Sequence, residues 1–328
     1  MTSQPHKTIK WGILGLGNIA HKFAKDLVTI KDAQLQAVAS RSIDKANEFG
    51  KTYHAIQAYN SYEALAQDPN IDAVYIATPH SFHKEHAMLC LEHGKAVLCE
   101  KPFAMNTEEV KDMIALAKAK NVLLMEALWT YFLPHYQFAL SELKKETYGK
   151  LLKVEADFGF SRPFNTASRL FDKTVGGGSL LDIGIYPIFA TLSTLGEPQD
   201  IEATCTTFDN GADSTCDMIF KYKDNTEAVL KSSLLEDTPT QCKFTCENAV
   251  ITLNTQFHAP TTVTINQNGA EQTLDYTGPT IGYNFETLHF NQLLREGKTE
   301  SDIMTYDFSL KLIKTLDKVR KIIALEYK

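Results

Sequence analysis

The chain has 328 residues, 44% of them hydrophobic and 22% charged, an ordinary globular composition and enough length for two domains sharing a cleft. Its formal net charge of −7 excludes a general nucleic-acid or anionic-membrane binder while leaving room for a local basic pocket. Cysteines 90, 99, 205, 216, 242 and 246 form no CxxC pair, so reduced, mostly buried thiols are expected.

Met1–Lys7 lacks the apolar core of a signal sequence, and no later apolar run reads as long enough to span a bilayer, so a cytoplasmic protein without nucleic-acid or membrane partners is expected. The first part alternates β-type runs with helical patterns, as a parallel sheet of βαβ units requires. The pattern predicts strands at Ile9 to Leu14, Leu35 to Ser40, Ala55 to Tyr59, Ala73 to Ala77, Ala96 to Cys99 and Val122 to Met125. Helices are predicted between them, the longest opened by an Asn106 cap with Glu109 three residues on. The crossing to a second domain is placed at Glu126–Trp129. Residues 1–127 would bind a dinucleotide, residues 128–328 would carry substrate binding and dimerisation, and the C-terminal helices could pack back on the first domain.

After helical patterns near His135 to Lys145 and Ile188 to Leu195, alternating strands predominate, among them Leu151 to Phe158, Thr215 to Tyr222, Glu227 to Leu234 and Thr261 to Asn266. Turns at Asp209-Asn210-Gly211, Asp224-Asn225 and Asn268-Gly269 predict a large, mostly antiparallel sheet within an α+β domain. Helices resume near Asn284 to Arg295 and Tyr306 to Ile323. A sheet covered by helices on one side leaves the other face in need of cover, and a homodimer through that face is expected if it is apolar.

Gly15-Leu16-Gly17-Asn18-Ile19-Ala20 follows the first strand and fits a GxGxxA dinucleotide turn. Gly15 makes the turn, Gly17 admits the pyrophosphate, Ala20 lets helix pack on strand, and the amides from Asn18 and Ile19 onward face the phosphates. At the end of the second strand, where NAD enzymes usually place an acid for the ribose, stand Ser40-Arg41-Ser42. Hydroxyls and a guanidinium suit a 2′-phosphate, so NADP is expected over NAD. Ala77-Thr78-Pro79-His80, with His83 nearby, should line the far side of the cofactor. The spacing of His80, His83 and His86 straddles a loop and a helix without a completing acid or cysteine, so no metal is expected.

Glu100-Lys101-Pro102 closes an apolar strand at the carboxyl edge of the sheet, where open α/β folds bind ligands. A solvated surface lysine is the ordinary alternative. Here the nicotinamide ring should lie, and Lys101 could donate to a substrate oxygen or polarise a partner acid. Asp182 and Tyr186, four residues apart after Gly176-Gly177-Gly178, are candidate partners if the segment is helical, although Pro187 would either kink that helix or mark its first turn. The three glycines permit close backbone approach to a ligand. Trp129, Phe158, Phe160, Arg162, Phe164 and Arg169 come from segments that should border the cleft.

In order and spacing, Gly15 to Ala20, Ala77-Thr78-Pro79, Glu100-Lys101-Pro102 and Gly177 to Tyr186 resemble the family of glucose–fructose oxidoreductase, inositol dehydrogenase and their relatives over nearly the whole chain. Met125 to Thr130, Leu170-Phe171-Asp172 and Leu181 to Pro187 are most similar to its dimeric dihydrodiol dehydrogenase branch, which also oxidises D-xylose with NADP. Tyr131 departs from the arginine that often follows the Trp-Thr pair. The resemblance implies a Rossmann domain, an open-faced sheet domain pairing in dimers, a catalytic Lys101 and, in this branch, Tyr186 as acid/base with Asp182 beside it. Free tyrosine titrates near pH ~10, and a neighbouring lysine would favour its phenolate. Lys101, Trp129, Phe158, Arg162, Arg169, Asp182 and Tyr186 are the expected substrate-binding residues. Another sugar or inositol dehydrogenase, or a regulator that senses nucleotide without catalysis, are the competing readings.

Overall fold

The computed structural model describes residues 7–327. The chain divides into two compact units, one of Met1–Trp129 with Thr280–Ser309 and the other of Thr130–Pro279 with Leu310–Lys328.

The first unit runs β1 (Ile9–Leu14), α1 (Asn18–Leu27), β2 (Ala33–Ala39), α2 (Ile43–Tyr53), β3 (Gln57–Tyr59), α3 (Tyr62–Gln67), β4 (Ala73–Ile76), α4 (His83–Glu92), β5 (Ala96–Glu100), α5 (Thr107–Lys120) and β6 (Leu124–Ala127). The strands form one parallel sheet in the order β3-β2-β1-β4-β5-β6. Strands β4, β5 and β6 are buried along their whole length, as parallel strands covered on both faces must be. The order reverses between β1 and β4, which puts the ligand crevice of such folds at the carboxyl ends of β1, β4 and their neighbours. Ser42, Ser61 and Asn106 start α2, α3 and α5 by accepting the amides of Lys45, Ala64 and Glu109 at 3.4, 3.0 and 3.0 Å. These bonds satisfy amides that helix starts leave without intrahelical partners.

The helix Tyr283–Arg295 also belongs to this unit. It is tied in by the buried Asp26, which accepts the amides of Ile281, Gly282 and Tyr283 at 3.0, 2.8 and 2.9 Å. The Trp11 indole donates to Asn291 Oδ1 at 3.0 Å. A 290-series helix thus packs against a strand that begins at residue 9.

The second unit comprises α6 (Pro134–Lys144), β7 (Leu151–Gly159), α7 (Ile185–Leu195), β8 (Asp200–Thr207), β9 (Asp213–Lys221), β10 (Glu227–Ser233), β11 (Cys242–Cys246), β12 (Val250–Leu253), β13 (Thr262–Gln267) and β14 (Ala270–Asp275). Its eight strands lie in the order β14-β13-β12-β11-β7-β10-β9-β8. Every neighbouring pair is antiparallel except β7 with β10. Left-handed Asp224 and Asn225 turn β9 into β10, and Asn268 with Gly269 turns β13 into β14. The alternation of β7 sends Val154 and Ala156 into the core while Glu155 is exposed. The outward face therefore carries Glu155, Asp157, Glu202, Asp217, Lys231 and Lys243 beside Ile219 and Val229, around a concavity of about 490 Å³. It is mixed rather than apolar.

Lys173–Leu195 is long and apolar enough to cross a membrane by length and composition, which corrects the expectation that no such run exists. Its most apolar window is 94% buried inside the protein, because α7 is the core helix on the inner face of the sheet.

Candidate active site

In the first unit the glycine turn has the geometry its spacing predicts. Gly15 has φ +88, and a Cβ there would come within 2.7 Å of Thr78 Cγ2 and 3.0 Å of the Ala77 carbonyl. A Cβ on Gly17 would meet no atom within 4 Å. The first requirement is internal to the fold, whereas the second keeps the approach to the start of α1 clear of side chains. Gly17 caps α1 with no side-chain hydrogen bond, so the amides of its first turn stay available to an anion. Ala20 is fully buried and packs the helix on its strand. These residues fit a dinucleotide pyrophosphate.

At the end of β2, Ser40 is buried, Arg41 is exposed and Ser42 caps α2. The Ser42 amide donates to Ser40 Oγ at 3.3 Å. The Arg41 charge reaches Tyr62 and His86, where it opposes the burial that raises the phenol and adds to the burial that lowers the imidazole. No carboxylate occupies Ser40-Arg41-Ser42, and these groups fit a 2′-phosphate.

The ends of β4 and β5 are joined by side chains. His83 is fully buried, with Nε2 2.8 Å from the Thr78 carbonyl oxygen and Nδ1 2.8 Å from that of Pro102. Thr78 Oγ1 lies 3.0 Å from His86 Nδ1, and the buried His80 ring lies 5.7 Å from that of His83. Among the described residues no group of His, Cys, Asp and Glu side chains is arranged to hold a metal ion. The Lys101–Pro102 peptide is cis.

Lys101 itself is half-buried at the carboxyl end of β5, with a buried acid on either side of its turn. Glu100 accepts the hydroxyl of the fully buried Tyr75. Glu126 accepts the Phe103 amide at 3.0 Å. A third acid, Glu286, is fully buried close enough to Glu100 that burial first and the Glu100 charge second push its carboxyl well above the usual range. Trp129 is buried and stacks on Tyr283 at 4.5 Å with the rings 7° apart.

In the second unit, Leu180–Gly184 forms one turn of π-helix that runs directly into α7. Pro187 is the third residue of α7 and follows directly on the π-helical turn, where its missing amide cannot continue the regular i→i−4 ladder. Asp182 and Tyr186 lie on either side of this junction and both are buried. Both terminal nitrogens of Arg169 donate to Asp182 Oδ1 at 3.3 Å. The Tyr186 ring lies 5.5 Å from Phe158 and 5.2 Å from His258, and those two stack at 4.2 Å.

The remaining cleft candidates divide. Phe158 and Phe160 pack on the cluster of Phe171, Ile183 and Leu234, and Phe164 stacks on Phe208 at 4.8 Å. Arg162 is exposed, its guanidinium 5.5 Å from the Phe160 ring. Phe160 and Phe164 therefore support the chain around the Arg169–Asp182 pair. Gly177 and Gly178 are required by the chain's own packing: a Cβ on Gly177 would sit 2.5 Å from the Arg169 carbonyl oxygen, and one on Gly178 2.0 Å from Asp213 Oδ1. His258, Tyr283, Glu126 and Glu286 are site neighbours that residue patterns did not single out. His258 follows Phe257 in a loop with no motif, and Glu286 looks like an ordinary polar position on an amphipathic helix.

Residues 9–128 match the oxidoreductase family with an NAD-binding Rossmann fold, and residues 136–252 match the GFO/IDH/MocA C-terminal domain. The chain is 35% identical to a trans-1,2-dihydrobenzene-1,2-diol dehydrogenase from Xenopus laevis, over 97% of this chain and 99% of that protein. It is also 35% identical to a scyllo-inositol 2-dehydrogenase (NADP(+)) from Bacillus subtilis strain 168, over 97% and 98% of the two chains. A 3-ketoreductase from Actinomadura kijaniata, solved with NADP and TDP-benzene, has the same fold, with a TM-score of 0.87 at 24% identity over 97% of this chain and 98% of that one.

Proposed function

The chain belongs to the GFO/IDH/MocA oxidoreductase family, and from that premise we propose that it is an NADP-dependent dehydrogenase of a sugar, polyol or dihydrodiol hydroxyl, with Lys101 and Tyr186 as its acid/base pair. One observation carries the reading. Lys101 stands at the carboxyl end of β5 on a turn fixed by buried side chains on both flanks, at the edge where such sheets bind ligands.

NADP, when bound, supplies the hydride acceptor at the nicotinamide C4. Tyr186 takes the substrate's hydroxyl proton, and Lys101 stabilises the developing alkoxide and favours the phenolate. Asp182, held by Arg169, accepts a hydrogen bond from a second substrate hydroxyl, while Trp129 and Phe158 offer flat apolar faces to its ring. Gly15 to Ala20 take the pyrophosphate, Ser40-Arg41-Ser42 the 2′-phosphate, and Ala77 to His80 with His83 line the remaining side.

NADPH formation across aldoses, polyols and aromatic dihydrodiols tests the substrate class. Lys101→Met and Tyr186→Phe, with NADP affinity measured separately, test the pair: each should lose kcat by about a hundredfold or more. Near-wild-type turnover in both would end the proposal. A homodimer through the outward sheet face, which is mixed rather than apolar and would have to pair through its charged side chains, is part of the same reading. Light scattering that gives a monomer mass at micromolar concentration would remove that part.

A further inference from the structure

Three carboxyl groups, Glu100, Glu126 and Glu286, are buried behind the turn that carries Lys101, and the function described above uses Glu100 only to flank the lysine. Burying an ionised acid is costly unless a cation or hydrogen bonds compensate it. Burial first and the Glu100 charge second push the Glu286 carboxyl toward its protonated form, and neither of its oxygens has a hydrogen-bond partner among the described residues. Glu126 is placed differently.

On β6 it stands opposite Cys99 in parallel register, one position before Ala127 meets Glu100. Its side chain reaches the turn, where Oε1 accepts the Phe103 amide at 3.0 Å. Its Oε2 is buried without a hydrogen bond of ordinary geometry among the described residues, and the Ser309 hydroxyl, which has none either, is near enough to favour the ionised carboxylate. The groups that face it are Cys99 and Glu100 from β5, Lys101 from the turn and the Ser309 hydroxyl from the helix Tyr306–Ile322. Glu100 repels its charge and Lys101 attracts it. The carboxylate therefore acts on the lysine in two ways: it holds the backbone two residues beyond it, and its charge attracts the ammonium.

We propose that Glu126 is a positioning residue for Lys101, its ionised carboxylate fixing the ammonium at the end of β5 so that catalysis depends on Glu126 having lost its proton. The proposal rests on the reading of Lys101 as catalytic.

Its consequence is a pH dependence with a defined sign. Burial raises the Glu126 carboxyl to about 7, against the opposing effects of Ser309, the Phe103 amide and Lys101, with Glu100 adding to the rise. Below that pH the clamp is neutral, and above it the clamp is charged. The kcat/KM for oxidation should therefore rise with pH through about 7.

Glu126→Gln tests this directly, because the amide oxygen can still accept from Phe103 while the charge is gone. We expect kcat/KM at pH 8 to fall about tenfold or more, NADPH affinity to hold within about twofold, and the limb near pH 7 to vanish. Ser309→Ala removes a group that favours the ionised form, and should move that limb to higher pH. A wild-type pH profile and kcat in Glu126→Gln would overturn the proposal. If that variant does not fold, an unmoved limb in Ser309→Ala overturns it instead. Lys101→Met separates the two failures: inactive Lys101→Met with wild-type behaviour of both other variants defeats this inference alone, whereas active Lys101→Met defeats the reading beneath it.

Discussion

The His83 ring spans the ends of two parallel strands, with Nδ1 2.8 Å from the Pro102 carbonyl oxygen and Nε2 2.8 Å from that of Thr78. One buried side chain thus sets the distance between the residues that should line the cofactor and the turn that presents Lys101. Removing it takes away the one N–H that a neutral imidazole can donate to either buried carbonyl, at about 1–3 kcal/mol, and the packing of a buried ring besides. His83→Ala should lower stability by about 2–4 kcal/mol in denaturant unfolding and weaken NADPH binding measured by fluorescence titration. A variant that keeps both wild-type stability and wild-type affinity would show that the strand ends hold their positions without the ring.

Cofactor choice should depend on Arg41, the cation on the two-hydroxyl segment after β2. Its side chain is exposed and does not cap α2, a task done by Ser42, so its loss should cost little stability. Arg41→Ala is expected to reduce the NADP-to-NAD ratio of kcat/KM by about tenfold or more, nearly all through NADP. Equal losses for both cofactors would assign Arg41 a structural role.

The Gly15 to Ala20 turn and the Ser40-Arg41-Ser42 segment are readable in the sequence because each is local. A glycine turn is set by a few φ angles and by the strand and helix beside it, and the start of a helix is announced by its cap. Other parts of the site are made by topology. Glu286 lies on a helix beginning at Tyr283 that folds back beside β1 through Asp26 and Asn291, and nothing within that helix reveals that its acid faces Glu100. His258 reaches Tyr186 from a loop between β12 and β13. Gly177 and Gly178 show why a glycine pattern is ambiguous, since close approach leaves the same mark on a sequence whether the approaching atoms belong to a substrate or, as here, to Arg169 and Asp213.

Glu286 gives a prediction about stability. Its folded-state carboxyl titrates well above its ordinary value because of burial and the neighbouring Glu100. Between the unfolded and folded pKa values the folded chain holds a proton that the unfolded chain has released, so stability falls as pH rises across that window. Glu126 contributes with the same sign between about 4.5 and 7, worth about 3 kcal/mol at ~1.4 kcal/mol per unit. Glu286→Gln mimics the protonated acid at every pH. Its melting temperature should match the wild type near pH 5 and exceed it increasingly toward pH 8. A difference that does not grow with pH would mean that Glu286 is ionised in the folded protein.

The Arg169–Asp182 pair should matter for the substrate and little for the fold. Arg169 is 46% exposed in its side chain and Asp182 11%, so solvent screens the attraction and its loss should cost under about 1 kcal/mol. What Arg169 does instead is hold the buried Asp182 carboxylate through Oδ1, orienting it within the π-helical turn that leads to Tyr186. Arg169→Ala should therefore leave the melting temperature within a few degrees of wild type and leave NADPH affinity unchanged. The kcat/KM for the best substrate should fall about tenfold to a hundredfold, chiefly through KM, since an unheld acid binds a hydroxyl with poorer geometry. A large melting shift with intact kinetics would reverse that assignment and make the pair a structural tie between residues 169 and 182.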